Sequence, residues 1–238
     1  MSTMLTCDYR VLKAAVVAAL AIAGRDPYDI IRFYPHPEDM MLGVAAASPA
    51  ATVAVEVPLE FSTDWTAHVG PFDVAKQEAK AFTALPIKAE DDELPMCGLR
   101  LEDSKVVLTD ETGLGMNIRA ISVRAHAPSE QLPNMEDAIT RSHAMTFDAD
   151  APIHPDQAKT LAKVTAALKT KATVGLLQVE PGVVRLRATG PTFTLLHTAG
   201  KAEGQKDDKL EQEILTAVDT IAGNPVHVEV AHPTGGLA

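Results

Sequence analysis

The segment from Gln131 to Ile139 divides the chain into two stretches that repeat one order of elements: helix, short strands, second helix, final strand or strands. That repetition predicts an α+β protein of two units, residues 1–130 and residues 131–238, with Leu132-Pro133-Asn134 as the joint. The length of 238 residues and a hydrophobic content of 46% suit two cores of about 100 to 130 residues each.

Charge is distributed unevenly along these elements. The chain carries 21 Lys and Arg against 32 Asp and Glu, a formal net charge of −11. The predicted helices nevertheless present cations at helical spacing. Arg10 and Lys13 lie on the first helix, Lys76 and Lys80 on the second, and Lys159, Lys163 and Lys169 on the third. Cations placed against the overall charge point to a local surface that rests on a polyanion. An ordinary solvated helix face is the competing reading for each lysine taken singly.

The first helix is expected from about Asp8 to Ala23, stopped at Gly24 with Pro27 just beyond. Arg10 and Lys13 ahead of the run Ala14 to Ala23, with Ala21-Ile22-Ala23, also fit a secretory signal. Asp8 in the would-be positive region favours the buried helix, and the run is about half the roughly 20 residues that span a bilayer. No membrane is therefore expected among the partners.

Strands are expected at Ile30 to Tyr34, Met40 to Ala46, Thr52 to Val57 and Trp65 to Val69. Phe72 to Phe82 reads as a helix with Val74, Ala75, Ala79 and Phe82 inward and Asp73, Lys76, Gln77 and Lys80 outward. Leu99 to Leu101, Lys105 to Leu108 and Met116 to Val123 read as strands, with a turn at Asp110 to Gly115. The second unit opens with Ala144 to Phe147 and a helix over Pro155 to Lys169, with Ala158, Leu161, Thr165 and Leu168 as its inner stripe. Strands follow at Val174 to Val179, Val183 to Ala188 and Thr192 to His197. The loop Gly200 to Asp208 then leads to a helix at Lys209 to Ala222 and a strand at Val226 to Val230.

Catalytic chemistry finds no purchase. The eight histidines form no HExxH and no helical i,i+4 pair, so no metal site is expected. Gly113-Leu114-Gly115 lacks the rest of a dinucleotide loop, and there is no phosphate loop or nucleophile elbow. The acidic run Glu90 to Glu93 lacks EF-hand spacing and reads as a solvated loop. Cys7 and Cys97 are too few for a disulfide framework, which favours a reducing, cytoplasmic compartment. No catalytic residue and no cofactor are assigned. Aromatic residues make up 4% of the chain and Trp65 is the sole tryptophan, so stacking of single-stranded bases is disfavoured against duplex tracking.

In this order of elements, the proline-bearing joint at Leu132-Pro133-Asn134 and the stretch from Ile214 to Asp219 through Val226 to Thr234, the chain resembles the DNA sliding clamps of the bacterial and phage beta-clamp type. The resemblance implies two DNA-clamp-like domains, each with antiparallel sheets and two helices. It implies a non-enzymatic processivity factor that encircles double-stranded DNA through phosphate contacts and tethers a DNA polymerase or another replication protein. Family rings contain six domains, so two per chain imply a homotrimer. Two departures stand beside it: the second repeat is shorter than the first, and the last helix displays Glu211, Glu213 and Asp219 instead of lysine. An oligomeric protein-binding scaffold that never touches DNA is the alternative.

Overall fold

A strand that sequence reading missed, β1 (Thr3–Asp8), runs directly into α1 (Tyr9–Ile22). Asp8 makes the transition by accepting a hydrogen bond from the Arg10 backbone N–H at 2.8 Å, which satisfies one of the open donors of the first turn. Tyr9, Leu12, Ala15, Val16, Ala18, Ala19 and Ile22 are buried along α1 at helical spacing. The alanines in that stripe let neighbouring backbones approach closely. The computed structural model describes residues 3–36, 38–63, 70–87, 94–102, 104–112, 119–132, 134–144 and 153–200. The expectations for Trp65 to Val69, Glu90 to Glu93, Gly113 to Gly115, Ala144 to Phe147 beyond its first residue, and everything after Gly200 lie outside those residues.

After α1 the chain forms an antiparallel meander of β2 (Ile30–His36), β3 (Met41–Ala47) and β4 (Ala51–Pro58). β5 (Phe61–Thr63) crosses to pair with β1. The expected helix from Phe72 to Phe82 is corrected: its first four residues are strand β6 (Phe72–Ala75), and only α2 (Lys76–Phe82) is helical. The reason is the open edge of β2, which pairs Ile31 with Val74 and Arg32 with Asp73. Asp73 thereby turns inward, 2% exposed, where helical spacing had placed it outward.

A five-stranded sheet of order β5-β1-β7-β8-β9 is completed by β7 (Met96–Glu102), β8 (Lys105–Asp110) and β9 (Ala120–Arg124). The second half of the chain supplies α3 (Met135–Ser142), α4 (Pro155–Leu168), β10 (Thr173–Glu180), β11 (Val183–Thr189) and β12 (Phe193–Gly200). β12 pairs antiparallel with β4, aligning Phe193 with Val55 and His197 with Ala51. The result is a seven-stranded sheet of order β10-β11-β12-β4-β3-β2-β6 that continues from one half of the chain into the other.

Side-chain alternation along these strands sorts the two faces of the sheet. Phe33, Val44, Ala46, Val53 and Val55 join α1 in the main core. Tyr34, Ala45, Ala47 and Ala54 face the opposite way, against Leu132 and Met135. The joint is thus a packed element: Asn134 caps α3 by accepting from the Glu136 and Asp137 N–H groups, and the Met135 N–H donates to the Tyr34 hydroxyl at 3.2 Å. Burial of each large apolar side chain contributes about 1.5–3 kcal/mol, so Met135, fully buried, fixes α3 to this face.

On the main-core face α1 lies between α2 and α4. Phe33 stacks on Phe72 with ring centroids 5.1 Å apart and meets Phe82 edge-on at 6.0 Å, which ties β2, β6 and α2 together. Among the described residues no helix is long and apolar enough to cross a membrane.

Candidate nucleic-acid interface

The three helices on the main-core side carry six cations, Arg10, Lys13, Lys76, Lys80, Lys159 and Lys163, against two acids, Glu78 and Asp156. In a chain of net charge −11 this layer is locally positive. The helix on the other side of the sheet, α3, instead carries Glu136 and Asp137 in its first turn. The cations are not equivalent, because some are engaged within the fold.

Two contacts orient α2 against α1. The Tyr9 hydroxyl, at the start of α1, lies 3.0 Å from the Phe82 carbonyl oxygen and 2.8 Å from that of Leu85, at the end of α2. At the opposite ends the Lys76 ammonium donates to the Ala23 carbonyl and, at 3.3 Å, to the Gly24 carbonyl. The two helices therefore run antiparallel, and Lys76 neutralises the carbonyl-rich C-terminus of α1. It is half-buried in that position, facing protein and not solvent.

Arg10 is exposed but forked onto Asp8, with Nη2 at 2.7 Å from one carboxylate oxygen and Nε at 3.2 Å from each. Partial burial pushes the Asp8 carboxyl up, but the hydrogen bonds from the Arg10 side chain and backbone outweigh it and hold the group below its ordinary value. Lys13 is exposed, its ammonium 5.7 Å from the centroid of the Tyr9 ring. Lys80, Lys159, Lys163 and Lys169 are exposed and make no ion pair among the described residues. Val17, 38% exposed, continues the outer stripe of α1 beyond Lys13.

α4 is held by a residue that periodicity did not select. Gln157 is fully buried and donates from Nε2 to the Val184 carbonyl at 2.7 Å and the His197 carbonyl at 3.0 Å. Its Oε1 accepts from the His154 N–H at 3.0 Å, closing the N-terminal cap. The inner stripe is consequently Gln157 and Val164, with Leu161 and Leu168 partly buried against the core, and Ala158 is exposed. This rotation sends Lys159, Ala162, Lys163 and Ala166 to solvent. Lys169 ends the helix in the left-handed conformation, φ 51°, with its N–H on the Thr165 carbonyl. Sequence carried no usual capping signal for Gln157, because the capping residue three positions before it is His154 and not Ser, Thr, Asp or Asn.

Among the described residues no group of three or more His, Cys, Asp and Glu side chains is placed to hold a metal ion. Cys7 and Cys97 face each other across β1 and β7 with sulfurs 3.6 Å apart and are both fully buried. The hydrogen bond to Cys7, then burial, pushes the Cys97 thiol far up, away from the reactive thiolate.

No family model matches the sequence, and no curated protein matches it. Solved structures do. The sliding clamp, DNA polymerase III subunit beta, of Pseudomonas aeruginosa bound to griselimycin superposes with a TM-score of 0.53 at 14% identity, over 87% of this chain and 67% of that one. The beta subunit of DNA polymerase III from Thermotoga maritima gives 0.53 at 13% identity over the same shares. The beta sliding clamp of C. crescentus gives 0.50 at 13%, over 88% of this chain and 67% of that one. At such identities the likeness establishes the fold: two antiparallel sheets and a helical layer in the sliding-clamp arrangement, spanning about two thirds of the length of those chains.

Proposed function

We propose that this sliding-clamp fold serves a non-enzymatic processivity role: copies of the chain close a ring around duplex DNA and tether a polymerase or another replication protein to it. The observation that carries the reading is the charge of the layer formed by α1, α2 and α4, six cations against two acids in a chain of net charge −11. A ring that must slide needs screened phosphate attraction without base-edge hydrogen bonds, and exposed lysines on helix faces supply that. Lys80, Lys159, Lys163 and Lys169 are the leading phosphate-facing residues, with Lys13 and Arg10 beside them. Lys76 contributes chiefly by holding α1 against α2.

The assembly we infer is a cytoplasmic homotrimer. Residues 1–130 and 131–238 then act as two clamp units, and three copies supply six. Sheet edges at β9 and β10 would be covered by pairing between copies. Light scattering across a dilution series tests this: a species at three times the 25.3 kDa chain mass is expected, and a persistent monomer contradicts it. A protein-binding scaffold is the second reading, favoured by the internal engagement of Arg10 and Lys76 and by the acidic first turn of α3. It predicts assembly without retention on DNA.

A further inference from the structure

Between the first turns of α4 and the adjoining end of β12 lies a cavity of about 470 Å³. Its wall includes Lys159, Thr160 and Lys163 from the helix, and His197 and Thr198 from the strand. A volume of this size falls in the range of small-molecule sites. Lys159 and Lys163 are separated by one helical turn, so both ammonium groups serve the same opening. His197 is 6% exposed, and its buried Nδ1 has no hydrogen-bond partner among the described residues. An unpaired polar atom at such a depth is costly unless something pairs with it.

We propose that this cavity is an anion site that takes a phosphate group, with Lys159 and Lys163 as the cationic partners and His197 with the Thr160 and Thr198 hydroxyls as the neutral ones. The N-terminal amides of α4 are not its anchor. They are already engaged, since the Asp156 N–H donates to His154 Nδ1 at 3.3 Å. Burial, with the nearby His154, pushes the His197 imidazole below its ordinary value against the pull of the Asp156 charge, which favours the neutral ring. A neutral imidazole donates from one nitrogen and accepts at the other, which suits a phosphate monoester or diphosphate carrying a proton or a further polar group. Asp156 also lines the cavity, where its carboxylate opposes an anion, but the two lysine ammonium groups outnumber it. Its carboxylate stands 3.7 Å from His154 Nδ1, directed in part towards that ring.

The site does not depend on the ring reading. Phosphate can reach it as a free diphosphate, as a mononucleotide or as part of a duplex backbone, and calorimetric titration of the full chain at low salt separates these. Inorganic pyrophosphate and a mononucleotide are each expected to bind saturably at one site per chain. The Lys159→Gln/Lys163→Gln variant should weaken that binding by about tenfold or more, from loss of charged hydrogen bonds. His197→Phe, which keeps the ring volume, should weaken it as well, while Lys80→Gln on α2 should leave it unchanged. In heteronuclear spectra the His197 ring resonances should shift on titration. Absence of saturable binding by either small phosphate overturns the proposal, even if a short duplex binds. Equal losses in Lys80→Gln and Lys159→Gln/Lys163→Gln overturn it too, since they would report only the general field of the helices.

Discussion

Arg32 and Asp73 meet across β2 and β6 as a buried, forked ion pair, Nε to Oδ1 at 2.7 Å and Nη2 to Oδ2 at 3.0 Å, with side chains 5% and 3% exposed. The pair also secures the chain beyond β9. Arg32 Nη2 donates to the Ser129 carbonyl at 2.9 Å, the Ser129 N–H donates back to Asp73 Oδ2 at 2.7 Å, and the backbones of Asp73 and His126 bridge. The path into the joint between the two halves is thus set by a closed polar network inside the fold.

Asp73→Ala leaves the guanidinium buried without its carboxylate. A loss of about 3–5 kcal/mol is expected in denaturant unfolding. A loss below about 1 kcal/mol would show that the pair is open to water in solution.

Gln157→Leu keeps the volume but removes the donor for two strand carbonyls and the acceptor for the His154 N–H. Destabilisation of about 2–4 kcal/mol follows from the groups left unpaired. Faster amide exchange along α4 than along α1 would locate the effect, and uniform exchange through both helices would contradict it.

Lysines of one layer separate into two kinds. Lys80, Lys159 and Lys163 changed together to Glu should abolish retention on duplex DNA with oligomer mass intact, and each lost phosphate contact should flatten the salt dependence by about 0.9 in log–log slope. Lys76→Glu places a carboxylate against the Ala23 and Gly24 carbonyls, so it should lower the melting temperature as well. Equal thermal stability in the two variants would remove that distinction.

Asp8 supplies a pH dependence of defined sign. Its folded carboxyl is held below its ordinary value, so the folded state binds its proton less readily than the unfolded chain. The stabilisation is full above about pH 4, the unfolded range, and is lost as pH falls through the lower folded value. Asp8→Ala should therefore cost about 1 kcal/mol at pH 7, as for loss of a helix cap, and progressively less under acid. A difference that is constant down to pH 2 would contradict the linkage.

Local pattern carried much of this architecture. Apolar periodicity located α1 and α4 to within a residue or two, although on α4 it put Ala158 on the inner stripe, where Gln157 and Val164 are the residues buried. It failed at Phe72 to Ala75, where apolar residues at 72 and 74 suit a strand and a helix alike, and the free edge of β2 decided between them. Pairing of β12 with β4 joins residues about 140 apart, and nothing local encodes that. The cationic helices were legible as lysine at helical spacing. Which lysines are free was not: the engagement of Lys76 depends on where the end of α1 meets the start of α2, a tertiary fact. His197 and Gln157 escaped notice because their significance lies in hydrogen bonds made or missing between α4 and β12.

Retention on closed circular duplex against the same DNA linearised tests the ring most directly. Topological linkage predicts slow loss from the circle and rapid loss once a free end is cut, at salt concentrations that suppress ordinary phosphate binding. Equal loss from circle and linear form would show that the helical layer binds DNA without encircling it, or not at all, and would contradict the clamp account.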